Sequence, residues 1–173
     1  MVRFLPAPRS RSSMASPTTP DHERFMRRCL ELAAEARSAG NTPVGSLVVK
    51  DGQIIGEASE TLPAGRSITG HAELLACQDA LDRTGGKDLA GTTLYTTAEP
   101  CFMCSYAIRN LRVGLIVYAL ETPLIGGVTS AHPILIDPAL DSWRPAPRVL
   151  AGALRDECLR FKGASQTSPP KTI

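Results

Sequence analysis

Lys50-Asp51-Gly52 lies between two apolar runs, VGSLVV and QIIGEAS. Asp-Gly at such a junction favours a two-residue turn whose central residues both take positive φ, so the runs are predicted to pair as an antiparallel hairpin. After a loop over 60–70 come a helix from about His71 to Arg83, a strand at TTLYTT, a helix from Cys101 and a strand at GLIVYAL. That alternation requires parallel crossovers, which joins the hairpin to a parallel unit in one sheet. Upstream, PDHERFMRRCLELAAEARSAG places Phe25, Cys29, Ala33 and Ala36 at helical spacing, with Met26 and Leu30 beside them, and stops at Gly40. A short strand near PRVLAG and a helix at LRDECLRF complete the expectation. The fold class predicted is α/β: a three-layer α/β/α sandwich around a mixed five-stranded sheet with an N-terminal antiparallel hairpin.

The 173 residues suffice for one such domain with a core of its own. Residues 1–20 are rich in proline, serine and arginine, with no acid before Asp21, and read as a disordered tail. The same composition marks organelle transit peptides, and Met14 offers a second start. Residues 163–173 share the polar, proline-bearing character, so the folded domain is expected over 21–162. A net charge of +2, from 19 basic and 17 acidic residues mixed along the chain, gives no strong footprint for a polyanion. No apolar run reaches the roughly 18 residues of a membrane span, and no signal-peptide core is present. With an odd count of 5 cysteines, a reducing cytoplasm and no membrane partner are expected.

Cys101 and Cys104 stand three positions apart at the start of a helix, so they share a face. The unpaired N–H groups of a helix start favour the thiolate form. Two thiolates on one face can grip a soft metal or form a redox pair, and the pair alone leaves both open. His71, at the start of another helix, supplies a third potential ligand, and Glu73 follows two positions later. Cys29, Cys77 and Cys158 fall on apolar helix faces and read as inert buried thiols.

His-Ala-Glu, then a strand, then Pro-Cys-x-x-Cys is the H-x-E…P-C-x-x-C signature of zinc-dependent base deaminases. With PVGSLVVKDGQIIGEA, GHAELLA, GTTLYTTAEPCFMCSYAI and GLIVYA, the chain resembles the cytidine deaminase superfamily over nearly all of 42–162. It is most similar to the branch holding bacterial tRNA adenosine deaminase, guanine deaminase and fungal cytosine deaminase. The resemblance implies Zn2+ on His71, Cys101 and Cys104, with the fourth position open to water that zinc ionises near neutral pH. It implies Glu73 as the general acid and base, moving the proton of that water to the ring nitrogen and then to the departing amine. Two residues along a helix turn about 200° around it, so Glu73 and His71 cannot point alike. The Cys101 N–H is expected to face the oxygen on which charge develops.

A small nucleobase or nucleoside, of guanine type, is the expected substrate. A tRNA wobble-adenosine deaminase is the alternative within the fold, and a catalytically silent zinc-binding partner subunit the alternative outside it. A homodimer is implied. Where the tRNA adenosine and cytosine deaminases carry a substrate-contacting asparagine at the end of the second hairpin strand, this chain has Glu60. An ionised carboxylate only accepts hydrogen bonds, so Glu60 either meets substrate N–H groups or is a solvent-facing loop residue. The closing segment lacks the Arg/Lys-rich run typical of the tRNA enzymes, which weighs against tRNA. Arg109 and Arg112 read as a local basic patch or a solvated helix end. Glu121 corresponds to an acidic residue that assists proton movement in guanine deaminases. Phe102 is a candidate pocket residue, Met103 a core residue and Pro100 a first-turn proline. The loop ETPLIGGVTSAHPILIDP is a candidate lid, with His132 and Trp143 as aromatic contacts.

Overall fold

The computed structural model describes residues 19–61 and 68–163. Residues 1–18 and 164–173 of the expected tails, Met14 and the middle of the 60–70 loop lie outside the described residues, whereas Thr19, Pro20 and Gly163, also assigned to the tails, belong to the first and last helices. Among the described residues, four α-helices and five strands follow in the order α1 (Pro20–Ser38), β1 (Gly45–Lys50), β2 (Gln53–Ser59), α2 (Ala72–Thr84), β3 (Thr93–Ala98), α3 (Phe102–Asn110), β4 (Leu115–Leu120), β5 (Arg148–Ala151) and α4 (Arg155–Gly163). The strands lie in one sheet in the order β2-β1-β3-β4-β5. β1 is antiparallel to both β2 and β3, whereas β3–β4 and β4–β5 are parallel. This is the mixed sheet expected from the sequence.

At the hairpin, Asp51 and Gly52 both sit at positive φ (50° and 76°), as the two-residue turn requires. The register slips between Val48 and Val49, which pair with Gly56 and Ile54. This bulge brings Gly56 under α2, where an added Cβ would stand 2.4 Å from the Ala80 nitrogen. No larger residue lets β2 and α2 approach so closely, and α2 is the helix that His71 precedes.

Alternate side chains of the central strands enter two different cores, as the two-residue period of a strand dictates. Val48, Leu94, Ile116 and Tyr118 point to the face covered by α2 and α3, where they meet Ala76, Ala80, Cys104 and Ile108. Leu47, Val49, Tyr95, Val117 and Ala119 point to the other face and meet Phe25, Met26, Cys29 and Cys158 of α1 and α4. The three layers follow directly. α1 begins at Thr19, whose hydroxyl accepts the His22 N–H (3.4 Å), with Asp21 and Glu23 in its first turn and Arg37 in its last. Cys29, Cys77 and Cys158 are free and buried, as expected. Among the described residues no helix is long and apolar enough to cross a membrane.

Candidate active site

Two helix starts converge at the end of the sheet where β2 and β3 finish and β1 begins. His71 is the N-cap of α2 and Cys101 the N-cap of α3, both with extended backbone, and neither side chain makes a capping hydrogen bond. They face each other instead: His71 Nδ1 is 3.8 Å from Cys101 Sγ, which is 3.6 Å from Cys104 Sγ. All three donor atoms lie within 4.8 Å of one another. A tetrahedral ion about 2.3 Å from sulfur and about 2.0 Å from nitrogen sets ligand–ligand distances of roughly 3.5 to 3.8 Å, so the donor set fits zinc. Pro100 lies two residues ahead of the first helical position, so it shapes the turn into α3 and is not the first-turn proline expected.

The hydrogen bond between the two sulfurs pulls the Cys101 thiol down to about 5, against the effect of burial, with the Met103 and Cys104 N–H groups and His71 acting in the same direction. That same bond, with burial, pushes Cys104 up. A dication takes both sulfurs as thiolates, so its binding displaces any proton between them. Glu73 is 4 % exposed, and burial pushes its carboxyl up to about 8, with the charges on Cys101 and Glu60 adding to the effect. Glu60, His71 and Glu73 also place oxygens and nitrogen within 4.8 Å of one another. Zinc favours the soft thiolate set, which leaves both carboxylates for hydrogen bonding and proton transfer.

Glu60 is not a solvent-facing loop residue. It is 4 % exposed, and its Oε2 accepts the N–H of Ala72, the first residue of α2, at 3.0 Å. It therefore caps the helix whose own N-cap side chain is turned to the cysteines. Burial raises its carboxyl, opposed by the Ala72 N–H and by His71. Glu60, Glu73, Thr122 and Ile125 share a cavity of about 150 Å3 with His71 and Cys101. A larger groove of about 380 Å3, beside Arg112 and Trp143, lies at the opposite end of the sheet and holds none of these groups.

The remaining expectations divide. Phe102 is half-buried and packs edge-on against His132, with centroids 6.3 Å apart. Glu121 is exposed, and its neighbour Thr122 forms the cavity wall instead. Met103 is 37 % exposed and not in the core, because it points away from the Cys104–Ile108 face of α3. Trp143 stacks on Tyr106 (5.1 Å, 20°), away from the cavity.

Arg109 forms neither a basic patch nor a solvated helix end. It is 1 % exposed, and its guanidinium donates to the carbonyls of Ile134, Leu135, Asp137 and Arg144 and to the Asp141 carboxylate. Arg112, at φ 61° beyond the helix, is exposed. Sequence reasoning also passed over Glu99, a carboxylate 2 % exposed at the end of β3. A signal existed for both: Arg109 falls four residues after Ser105 on the buried stripe of α3, and Glu99 directly follows a strand buried on both faces.

Fold and site together define a zinc-dependent hydrolytic deaminase. Residues 19–120 match the family described as the cytidine and deoxycytidylate deaminase zinc-binding region. The chain is 37% identical over 138 residues to a tRNA-specific adenosine deaminase of Aquifex aeolicus (strain VF5), covering 78% of this chain and 91% of that one. Among solved structures it resembles a tRNA:A34 deaminase that carries out A-to-I editing at the wobble position of transfer RNA (TM-score 0.73, 30% identity, 80% of this chain and 98% of that one). It also resembles guanine deaminase from Bacillus subtilis (TM-score 0.55, 30% identity, 87% of this chain and 98% of that one). The chain belongs to the cytidine and deoxycytidylate deaminase zinc-binding family.

Proposed function

We propose that this chain hydrolyses the exocyclic amine of an adenosine in tRNA, releasing ammonia and leaving inosine. The observation that carries the chemistry is the convergence of His71, Cys101 and Cys104 beside a buried Glu73. His71, Cys101 and Cys104 would hold a zinc ion, which when bound would lower the pKa of a water toward neutrality. Glu73 takes up a proton at its carboxyl oxygen and returns it, first to a ring nitrogen and then to the departing amine. Burial raises the Glu73 carboxyl above the usual carboxylate range, which increases its hold on the proton that it must carry. A silent partner subunit has no use for a buried carboxyl beside three ligands.

The relatives support the tRNA substrate over the guanine-type small molecule that the sequence favours. A second reading, a free amino-purine, is favoured by one observation: Glu60 adds a third carboxylate, beside Glu73 and Glu99, to the cavity of about 150 Å3, and an acceptor-only group there suits a base edge rich in N–H donors. Ammonia release measured over an anticodon stem-loop, free bases and nucleosides separates the two. A tRNA enzyme acts on the stem-loop and loses affinity steeply between about 50 and 200 mM salt, through counterion release. Turnover of a free purine that is insensitive to salt, without action on the stem-loop, replaces the first reading with the second.

A further inference from the structure

The connection between β4 and β5 has one 3-10 turn, at Pro138–Leu140, as its only helical or strand element, yet its first part walls the site cavity through Thr122 and Ile125. A buried carboxylate fixes it. Glu99 Oε1 accepts the N–H groups of Val128 and Thr129, each at 2.7 Å. Its Oε2 accepts the Thr122 N–H at 2.8 Å and the Thr129 hydroxyl at 2.5 Å. All four partners donate, so the position calls for a group that only accepts.

The same segment is joined to the strand-to-helix turn by two main-chain bonds that bracket Cys101: Phe102 N–H to the Ile125 carbonyl (3.1 Å) and Gly127 N–H to the Pro100 carbonyl (2.9 Å). Gly126 lies flat on the carboxylate, where an added Cβ would stand 2.2 Å from Oε1. Glu99 and Gly126 are thus fitted to each other, one residue ahead of the Pro100-Cys101 turn.

We propose that Glu99 is a positioning residue for the deamination: it ties the 122–129 segment to the turn carrying Cys101 and so holds Thr122 and Ile125 as the wall against which the substrate packs. The kinetic half of this rests on the deaminase reading above; the tie itself does not. A wall contacts substrate and transition state alike, so its loss raises KM and leaves kcat.

Glu99→Gln keeps the size and replaces one acceptor by an NH2 that opposes the Thr122 N–H. Gly126→Ala disturbs the same contact from the loop side. For both, zinc content, hydrogen exchange of the amides over 122–129, and KM and kcat are to be measured on the metal-loaded protein. The expected result is about one zinc per chain, faster exchange confined to 122–129, and KM raised about tenfold with kcat within about threefold. Exchange at the wild-type rate in both variants overturns the tie, whether or not the protein is active. Faster exchange with unchanged KM, or a fall in kcat alone, overturns the wall. Should the wild-type protein deaminate nothing in the panel, the reading of its function falls, and the exchange measurement still decides the tie.

Discussion

His71 and Cys101 hold the same place in two different helices: each is an N-cap, and Nδ1 of one faces Sγ of the other at 3.8 Å. An N-cap side chain ordinarily folds back on its own helix. Here both are turned outward, so the positive ends of α2 and α3 point at the same small volume. A thiolate, a carboxylate or an ionised water is favoured there by the main chain itself.

One zinc per chain is therefore expected, to about the nearest whole ion, because three ligands with an open position define the site. Cys101→Ala or Cys104→Ala leaves two ligands and should lose the metal on dialysis, whereas Cys77→Ala should keep it. Elemental analysis of the purified variants decides, and full zinc retention in Cys104→Ala would remove that residue from the set.

Glu73→Gln retains size and removes the proton carrier. Turnover should fall by at least about a hundredfold while metal content and substrate affinity persist, since acid–base catalysis contributes that much or more. Single-turnover ammonia release together with equilibrium substrate binding gives both numbers. Near-normal turnover would require another carrier, and Glu60 is the buried carboxylate nearest at hand.

For Glu60 the cap and the charge can be separated. Glu60→Gln keeps the length and an oxygen for the Ala72 N–H, so stability should change little, while the order of preference across bases and nucleosides shifts. Glu60→Ala loses the cap as well and should cost about 1 kcal/mol in denaturant unfolding. An unaltered preference in Glu60→Gln would confine this residue to capping.

Arg109→Leu strands the carbonyls of Ile134, Leu135, Asp137 and Arg144 in a buried site. A buried acceptor left without its donor costs about 1 to 3 kcal/mol, and several are left here, so a large drop in the denaturation midpoint is expected. Arg109→Lys keeps the charge without the planar fork and should fall between the two. A Leu variant as stable as the parent would mean that the segment over 134–144 is held by other contacts.

The sheet and its hairpin were legible because they depend on local pattern: Asp51-Gly52 sets the turn, and the alternation of Leu47, Val48 and Val49 sets the two faces. The approach of His71 to Cys101 and Cys104 is not local, and only the resemblance to a family pointed to it. Glu60 was half legible. Its place at the end of β2 follows from the hairpin, but its bond to Ala72 depends on how α2 crosses the sheet, which no local pattern encodes. Arg109 misled because a charge near a helix end is ordinarily solvated, and only the later arrival of residues 134–144 buries it. The side-chain directions on α3 explain Met103 in the same way: Cys104, Ser105, Ile108 and Arg109 make the buried stripe, and residue 103 falls outside it.

Nearly every bond by which Glu99 and Arg109 hold the β4–β5 connection ends on a main-chain atom: the N–H of Thr122, Val128 and Thr129, and the carbonyls of Ile134, Leu135, Asp137 and Arg144. Two residues outside the connection thus fix much of its route through its main chain, whereas the Ile125 side chain, 48 % exposed, bears on neither of them. Exchanging Ile125 alters the surface offered to a base without moving the chain that carries it, so substrate choice can drift at this one position while His71, Glu73, Cys101 and Cys104 stay where they are.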